Sequence, residues 1–151
     1  VENGIWRMWY VSGFKWLEEA GELHSYYHIK YAESKDGIQW QRDGLVCIEL
    51  RSGERNISRP CVVKEGDRYR MWYSYNIGQG YRIGYAESPN GYVWTRRDDE
   101  AGIELSDAGW DSKALAYPYV INHDGMQYMF YNGNEFGKDG FGLACRTMPI
   151  V

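Results

Sequence analysis

Residues 82–98 read RIGYAESPNGYVWTRRD, and residues 28–44 read HIKYAESKDGIQWQRDG. Tyr31 and Tyr85, Ser34 and Ser88, Trp40 and Trp94, and Arg42 and Arg96 all fall 54 positions apart. The triplet IEL follows both copies, at 48–50 and 103–105. A second phrase, SRPCVVKEGDRYRMWYS at 58–74, returns as AYPYVINHDGMQYMFYN at 116–132, and RMWY of 70–73 is already present at 7–10. FGLACR at 141–146 is a third copy of IGYAES. Self-similarity at offsets of 54, 58 and 63 positions marks a stacked repeat.

The repeated unit is made of strands. CVVKEG is a short apolar run ending at a turn, YRMWYS and YRIGYAES alternate, and YVWTRR is a fourth extended piece. EGD and DGM supply a glycine between the first two strands. KDG and PNG supply Asp-Gly and Asn-Gly pairs, which predict tight hairpins with positive φ. WLEEAGEL at 16–23 is the nearest approach to a helical stripe, but Gly21 interrupts it, and it reads as a loop insertion with a short helical turn. Four short antiparallel strands per unit make the blade of a β-propeller, and a meandering β-sandwich is the alternative.

The fold class expected is therefore all-β, an incomplete propeller ring of about 2.5 to 3 blades over 1–151. With strands named a to d from the axis outward, blade one (1–50) supplies b (5–12), c (27–34) and d (38–43) and lacks a. Blade two (57–105) supplies a (60–64), b (68–74), c (81–87) and d (92–97). Blade three (114–151) supplies a (118–122), b (127–131) and c (141–146), with only TMPIV for d. Strands b must be apolar on both faces, because blades stack on both sides. Open edges of this kind invite pairing, so a homo-oligomer is expected. The chain opens VENGIW without Met, which points to a piece of a longer protein or a processed product.

Composition narrows the function. Charged residues are 25% of the chain, of both signs and interspersed, with a formal net charge of -4, so no basic stripe addresses nucleic acid. No apolar run reaches membrane-spanning length, and the N-terminus has no secretory pattern. Cys47, Cys61 and Cys145 form neither a disulfide framework nor a metal-ligand spacing and read as buried free thiols. His24, His28 and His123 complete no zinc set, and no cofactor is expected. The glycines of GNEFGKDGFG at 133–142 lie between two strands, so they read as a long hairpin with special backbone angles, not a phosphate cradle.

RPCVVKEGDRYRMWYS, YRIGYAESPNGYVWTR and MQYMFYNGNEFGKDGFGLA resemble the five-bladed β-propeller glycosidases, the superfamily of arabinanases, xylosidases, invertases and mannoside phosphorylases. The likeness covers nearly the whole chain and is strongest to uncharacterised members. It implies carboxylates on the inner strands flanking a glycosidic bond, one of them a base or nucleophile and one a general acid. In the invertase-like pattern two inner strands begin R-D-P and E-C-P. Here the comparable places read Ser58-Arg59-Pro60 and Ala116-Tyr117-Pro118, with Arg59 and Ala116 at the acidic positions.

The remaining candidate acids are Asp111, in GWDSKALAYP, and Glu135, in NGNEFGKDG, with loop structure as the competing role for each. Asp107 and Glu54 sit in comparable connectors and rank lower. Arg59, Tyr117, Tyr119, Asn132 and Asn134 form a candidate sugar-binding set. A guanidinium near a phenol ring can hold a hydroxylated or acidic group by forked hydrogen bonds and stacking. The competing reading pairs Arg59 with a loop acid and packs the tyrosines between blades. Two functions follow: a catalytically silent glycosidase-like module that binds carbohydrate or self-assembles, or a glycoside hydrolase whose paired carboxylates are completed by oligomerisation.

Overall fold

The computed structural model describes residues 1–148. Its strands are β1 (Trp6–Glu19), β2 (Glu22–Ser34), β3 (Val46–Ile48), β4 (Asn56–Glu65), β5 (Arg68–Asn76), β6 (Tyr81–Ser88), β7 (Thr95–Arg96), β8 (Ala116–His123), β9 (Met126–Asn132) and β10 (Phe141–Thr147). One curled, open sheet runs β1-β2-β4-β5-β6-β7, with β3 on β2, and a smaller sheet runs β10-β9-β8. Within the larger sheet, β2 meets β4 through a single parallel pair, Tyr27 and Asn56. That narrow junction divides it into β1–β2–β3 and the four-stranded antiparallel unit β4–β5–β6–β7. The architecture is all-β, an incomplete multi-bladed β-propeller.

Strand β5 lies in the middle of the stack. Met71, Trp72 and Tyr73 are all buried. Period-two alternation sends Met71 and Tyr73 into one core with Ile29, Tyr31, Ile48 and Ile57. It sends Trp72 into the other core with Leu115, Val120 and Met129. The Trp72 indole donates to the Ala101 carbonyl at 3.2 Å, which satisfies its one polar atom.

Glycines on the neighbouring strands explain another part of the repeat. Tyr73 is opposite Gly84, and a Cβ there would lie 2.4 Å from the Tyr73 ring. Tyr131 is opposite Gly142, where a Cβ would lie 2.6 Å from the ring. The rings cross over the glycines, and the phenols go on to carboxylates: Tyr73 donates to Asp98 and Tyr131 to Asp111.

The KDG and PNG segments are not the tight two-residue hairpins that Asp-Gly and Asn-Gly predict. Only Gly37 and Gly91 take positive φ. Ser34 Oγ accepts from the amides of Asp36 and Gly37, and Asp36 Oδ1 accepts from those of Ile38 and Gln39. The Trp40 indole then donates to Gly37 O. Ser88, Asn90, Gly91 and Trp94 reproduce every one of these bonds. The spacing of Ser, Asp or Asn, Gly and Trp is thus one side-chain-locked loop used twice.

Other expectations are corrected. WLEEAGEL is neither loop nor helix: β1 runs to Glu19, and Ala20 and Gly21, both with positive φ, turn it directly into β2. Tyr26 and Arg55 both bond to Glu19 and hold this arm in place. The outer strand of blade one is not 38–43; Gln41 makes an isolated bridge to Glu33, and β3 pairs with β2 in its place. The outer strand of blade two shrinks to Thr95–Arg96. Of TMPIV, Thr147 ends β10 and Met148 donates to Gly125 O, and residues 149–151 lie outside the described residues. Cys47 is buried and Cys61 half-buried, but Cys145 is exposed on β10, so burial does not explain all three thiols. Among the described residues no helix is long and apolar enough to cross a membrane.

Two stability predictions follow from this packing. Trp72→Ala should lower unfolding free energy by about 3–5 kcal/mol in urea titration, because it opens a void in the core shared with Leu115, Val120 and Met129. A loss below about 1 kcal/mol would refute that packing role. His28 is buried beneath the ring of Phe14, with Nδ1 3.5 Å from the exposed Glu49 carboxylate and no hydrogen bond to either nitrogen. Burial holds its pKa below the ordinary 6.5, against the pull of Glu49. The unfolded chain therefore binds the proton first, so stability should fall as pH drops below about 6.5. His28→Gln should flatten the melting temperature between pH 7 and 5.5, and an unchanged slope would rule His28 out.

Candidate functional site

Pro60 and Pro118 lie within the inner strands β4 and β8. A residue before proline is normally pushed to extended backbone. Here the preceding residues, Arg59 (φ 52°) and Tyr117 (φ 58°), are left-handed. Each sits at a bulge, where the pairing shifts between Ser58 and Cys61 and between Ala116 and Tyr119. The buried Ser74 hydroxyl accepts from the Tyr117 amide at 2.7 Å and satisfies a donor that the bulge takes out of the ladder.

The two bulges aim their side chains at each other. The Arg59 guanidinium lies 5.0 Å from the centroid of the Tyr117 ring. Tyr117 stacks on Phe136, centroids 6.0 Å apart and planes 19° apart. Tyr81 closes the cluster, 6.3 Å from Tyr117 and 5.8 Å from Phe136, and its hydroxyl meets that of Tyr27 at 3.0 Å. Positions equivalent in the repeat are thus spatial neighbours: Arg59 beside Tyr117, and Tyr27 beside Tyr81. Burial raises the phenol pKa of both Tyr27 and Tyr117, and in Tyr27 the bond to Tyr81 adds to it, so these hydroxyls stay protonated at neutral pH.

Strain concentrates at the same place. Glu135 (φ 52°) and Phe136 (φ 59°) are left-handed in the turn Asn134–Gly137, and Gly137 follows at φ 87°. Left-handed non-glycine residues cost roughly 1–2 kcal/mol each and gather at ligand sites. Polar partners pin the turn. Asn134 Oδ1 accepts from the Lys113 and Ala114 amides, and its Nδ2 donates to Gly109 O. Asn132 Nδ2 donates to Phe136 O.

The candidate residues therefore divide. Arg59 and Tyr117 meet, and Asn132 and Asn134 position the turn that brings Phe136 onto Tyr117. Arg59 makes no ion pair or hydrogen bond among the described residues. Tyr119, where the ladder resumes opposite Phe130, is 63% exposed, and among the described residues it forms no ring pair with the cluster. Asp111 is buried and accepts from Tyr131 at 3.1 Å. Glu135 is exposed and pairs with Lys138 at 3.3 Å. Glu54 lies in a buried pair with Arg96 at 2.8 Å, which Asp98 shares at 2.6 Å. Among the described residues no group of three His, Cys, Asp or Glu side chains could hold a metal ion. Tyr27, Tyr81 and Phe136 escape the sequence reading, although the 54-residue offset already pairs Tyr27 with Tyr81.

No family model matches the chain. Two uncharacterised proteins of Mycobacterium tuberculosis, from two strains, are each 38% identical over 144 residues, which is 95% of this chain and 47% of theirs. The chain thus spans about half the length of the curated relatives it matches. The extracellular exo-α-(1→5)-L-arabinofuranosidase of Cellvibrio japonicus is 29% identical over 101 residues, 63% of this chain and 28% of that one. Among solved structures, a family 117 glycoside hydrolase of Zobellia galactanivorans superposes with a TM-score of 0.76 at 21% identity, over 95% of this chain and 48% of that one. Over nearly its whole length the chain shares the fold of about half of that structure, a partial β-propeller.

This fold leaves Glu135 in an exposed, strained turn whose carboxylate bonds, among the described residues, to Lys138 alone, and exposed pairs are worth little. Glu135→Gly should accordingly raise stability by about 1 kcal/mol, read as a higher melting temperature. A fall would mean that the carboxylate contributes to the fold as well as to the turn.

Proposed function

We propose that the chain supplies the sugar-contacting part of a glycoside-hydrolase-type axial site. The observation that carries this reading is the cluster of Arg59, Tyr117 and Phe136, left-handed residues at two inner-strand bulges and one hairpin, closed by Tyr81 at the start of β6. Flat aromatic faces beside a forked donor suit a hydroxylated ring, because the apolar faces of a sugar stack while its hydroxyls find directed partners. The arabinofuranosidase activity named for the Cellvibrio relative and the hydrolase fold of the structural neighbours support a carbohydrate ligand.

Hydrolysis needs two carboxyl groups across the glycosidic bond, roughly 5 to 10 Å apart. Glu135 stands at the edge of the aromatic cluster and is our candidate for one of them. Asp111, already bonded to Tyr131, is the weaker candidate. The second acid comes from blades that complete the ring, either in a second copy joined through the open edges or in a longer chain. A catalytically silent binding module is the second reading, favoured by Arg59 and Ala116 at the two places where the superfamily pattern has acids.

Calorimetry of the chain with neutral arabino-, fructo- and galacto-oligosaccharides tests the proposal, run beside reducing-end release. Binding should appear with at least one series and weaken about tenfold in Tyr117→Ala. Binding with turnover supports the hydrolase, and binding without turnover in a particle of twice the 17.6 kDa chain mass supports the silent module. Absence of binding to every series would overturn the carbohydrate reading.

A further inference from the structure

Arg59 has an exposed guanidinium, fixed by a left-handed backbone above the Tyr117 ring, with no acidic partner among the described residues. The chain's other charges mostly pair off: Arg7 with Glu2, Arg51 and Arg96 with Asp98, Arg55 with Glu19, and Arg70 with Glu65 and Glu87. A ring face covers one side of the guanidinium and uses none of the N–H donors of its fork in hydrogen bonds. Glu135, next in sequence to Phe136 of the cluster, bonds to Lys138 and makes no ion pair with Arg59 among the described residues. Neutral hydroxyls would use single prongs of that fork, whereas a planar oxyanion uses two at once. The Tyr117 phenol beneath the guanidinium, its pKa raised by burial, stays protonated at neutral pH and carries no opposing charge.

We infer that the ligand of this site carries an oxyanion that Arg59 receives, most simply the carboxylate of a uronic acid residue, with its ring on Tyr117 and Phe136. This rests on the carbohydrate reading above and goes beyond it by naming the charge of the substrate. A sugar phosphate or inorganic phosphate offers the same chemistry, so the experiment separates the sources.

The test titrates the chain with α-1,4-digalacturonate, with its dimethyl ester, and with inorganic phosphate. The acid should bind at least about tenfold more tightly than the ester, a gap that narrows as salt rises. Arg59→Asn, which keeps a residue tolerant of left-handed φ, should erase the gap at an unchanged melting temperature, and Arg59→Lys should restore part of it. Phosphate binding that depends on Arg59, with no preference for the acid, would support the oxyanion contact and assign it to phosphate. Equal binding of acid and ester without phosphate binding, or a gap that survives in Arg59→Asn, would overturn the inference while the carbohydrate reading stands. Binding of none of these, nor of the neutral oligosaccharides, would overturn both.

Discussion

The structure depends on burying both faces of β5. An ordinary half-exposed strand alternates apolar with polar, but Met71, Trp72 and Tyr73 admit no polar interruption. The reason is geometric: sheet lies on sheet to either side, so each face of the strand becomes the interior of a different interface. Cys61 and Val63 on β4 follow Trp72, Val62 follows Met71, and on β6 Ile83 and Tyr85 divide from Ala86 in the same way. Once the strand is placed, the pitch of the stack is set by side-chain volume. The glycines at 84 and 142 then become necessary, because the neighbouring tyrosines need the space a Cβ would fill.

The stack also dictates where a ligand site can form. Repetition places equivalent positions side by side around the axis. A device within one inner strand is therefore met by its counterpart from the next. In β4 and β8 that device is a proline preceded by a left-handed residue, which breaks the ladder and turns a side chain out of the sheet. Because the two positions carry Arg59 and Tyr117, not two identical groups, the pseudo-symmetric contact becomes an asymmetric cluster with a charged end and an aromatic end. The hairpin at 133–142 adds Phe136 from a third direction. Such a site is rigid, since its members hang from bulges and side-chain-locked turns and not from free loops.

Much of the fold was legible because repetition reports on packing. Alternation in RMWYS assigned the faces of β5, and offsets of 54 and 58 residues identified the strands that stack. What misled was local. Asp-Gly and Asn-Gly signal tight hairpins, yet Ser34 and Ser88 with their downstream tryptophans stretch the loops wider. WLEEAGEL carries helix-favouring residues, but pairing between the two arms of a hairpin outweighs propensity. The site was legible only in part. Arg59 and Tyr117 stood out beside their prolines, whereas Phe136 enters through a backbone conformation that no residue pattern announces. Asp111 was a candidate acid with loop structure as the competing role, and its bond from Tyr131, which crosses over Gly142, could not be read from the sequence.

The central claim is that sugar binds where the two inner-strand bulges meet. Amide chemical-shift mapping of the isotopically labelled chain during oligosaccharide titration tests it most directly. The account predicts perturbations concentrated at Arg59, Tyr81, Tyr117 and Phe136. Shifts centred elsewhere, such as on the β1–β2 arm around Trp16, with these four unmoved, would contradict it.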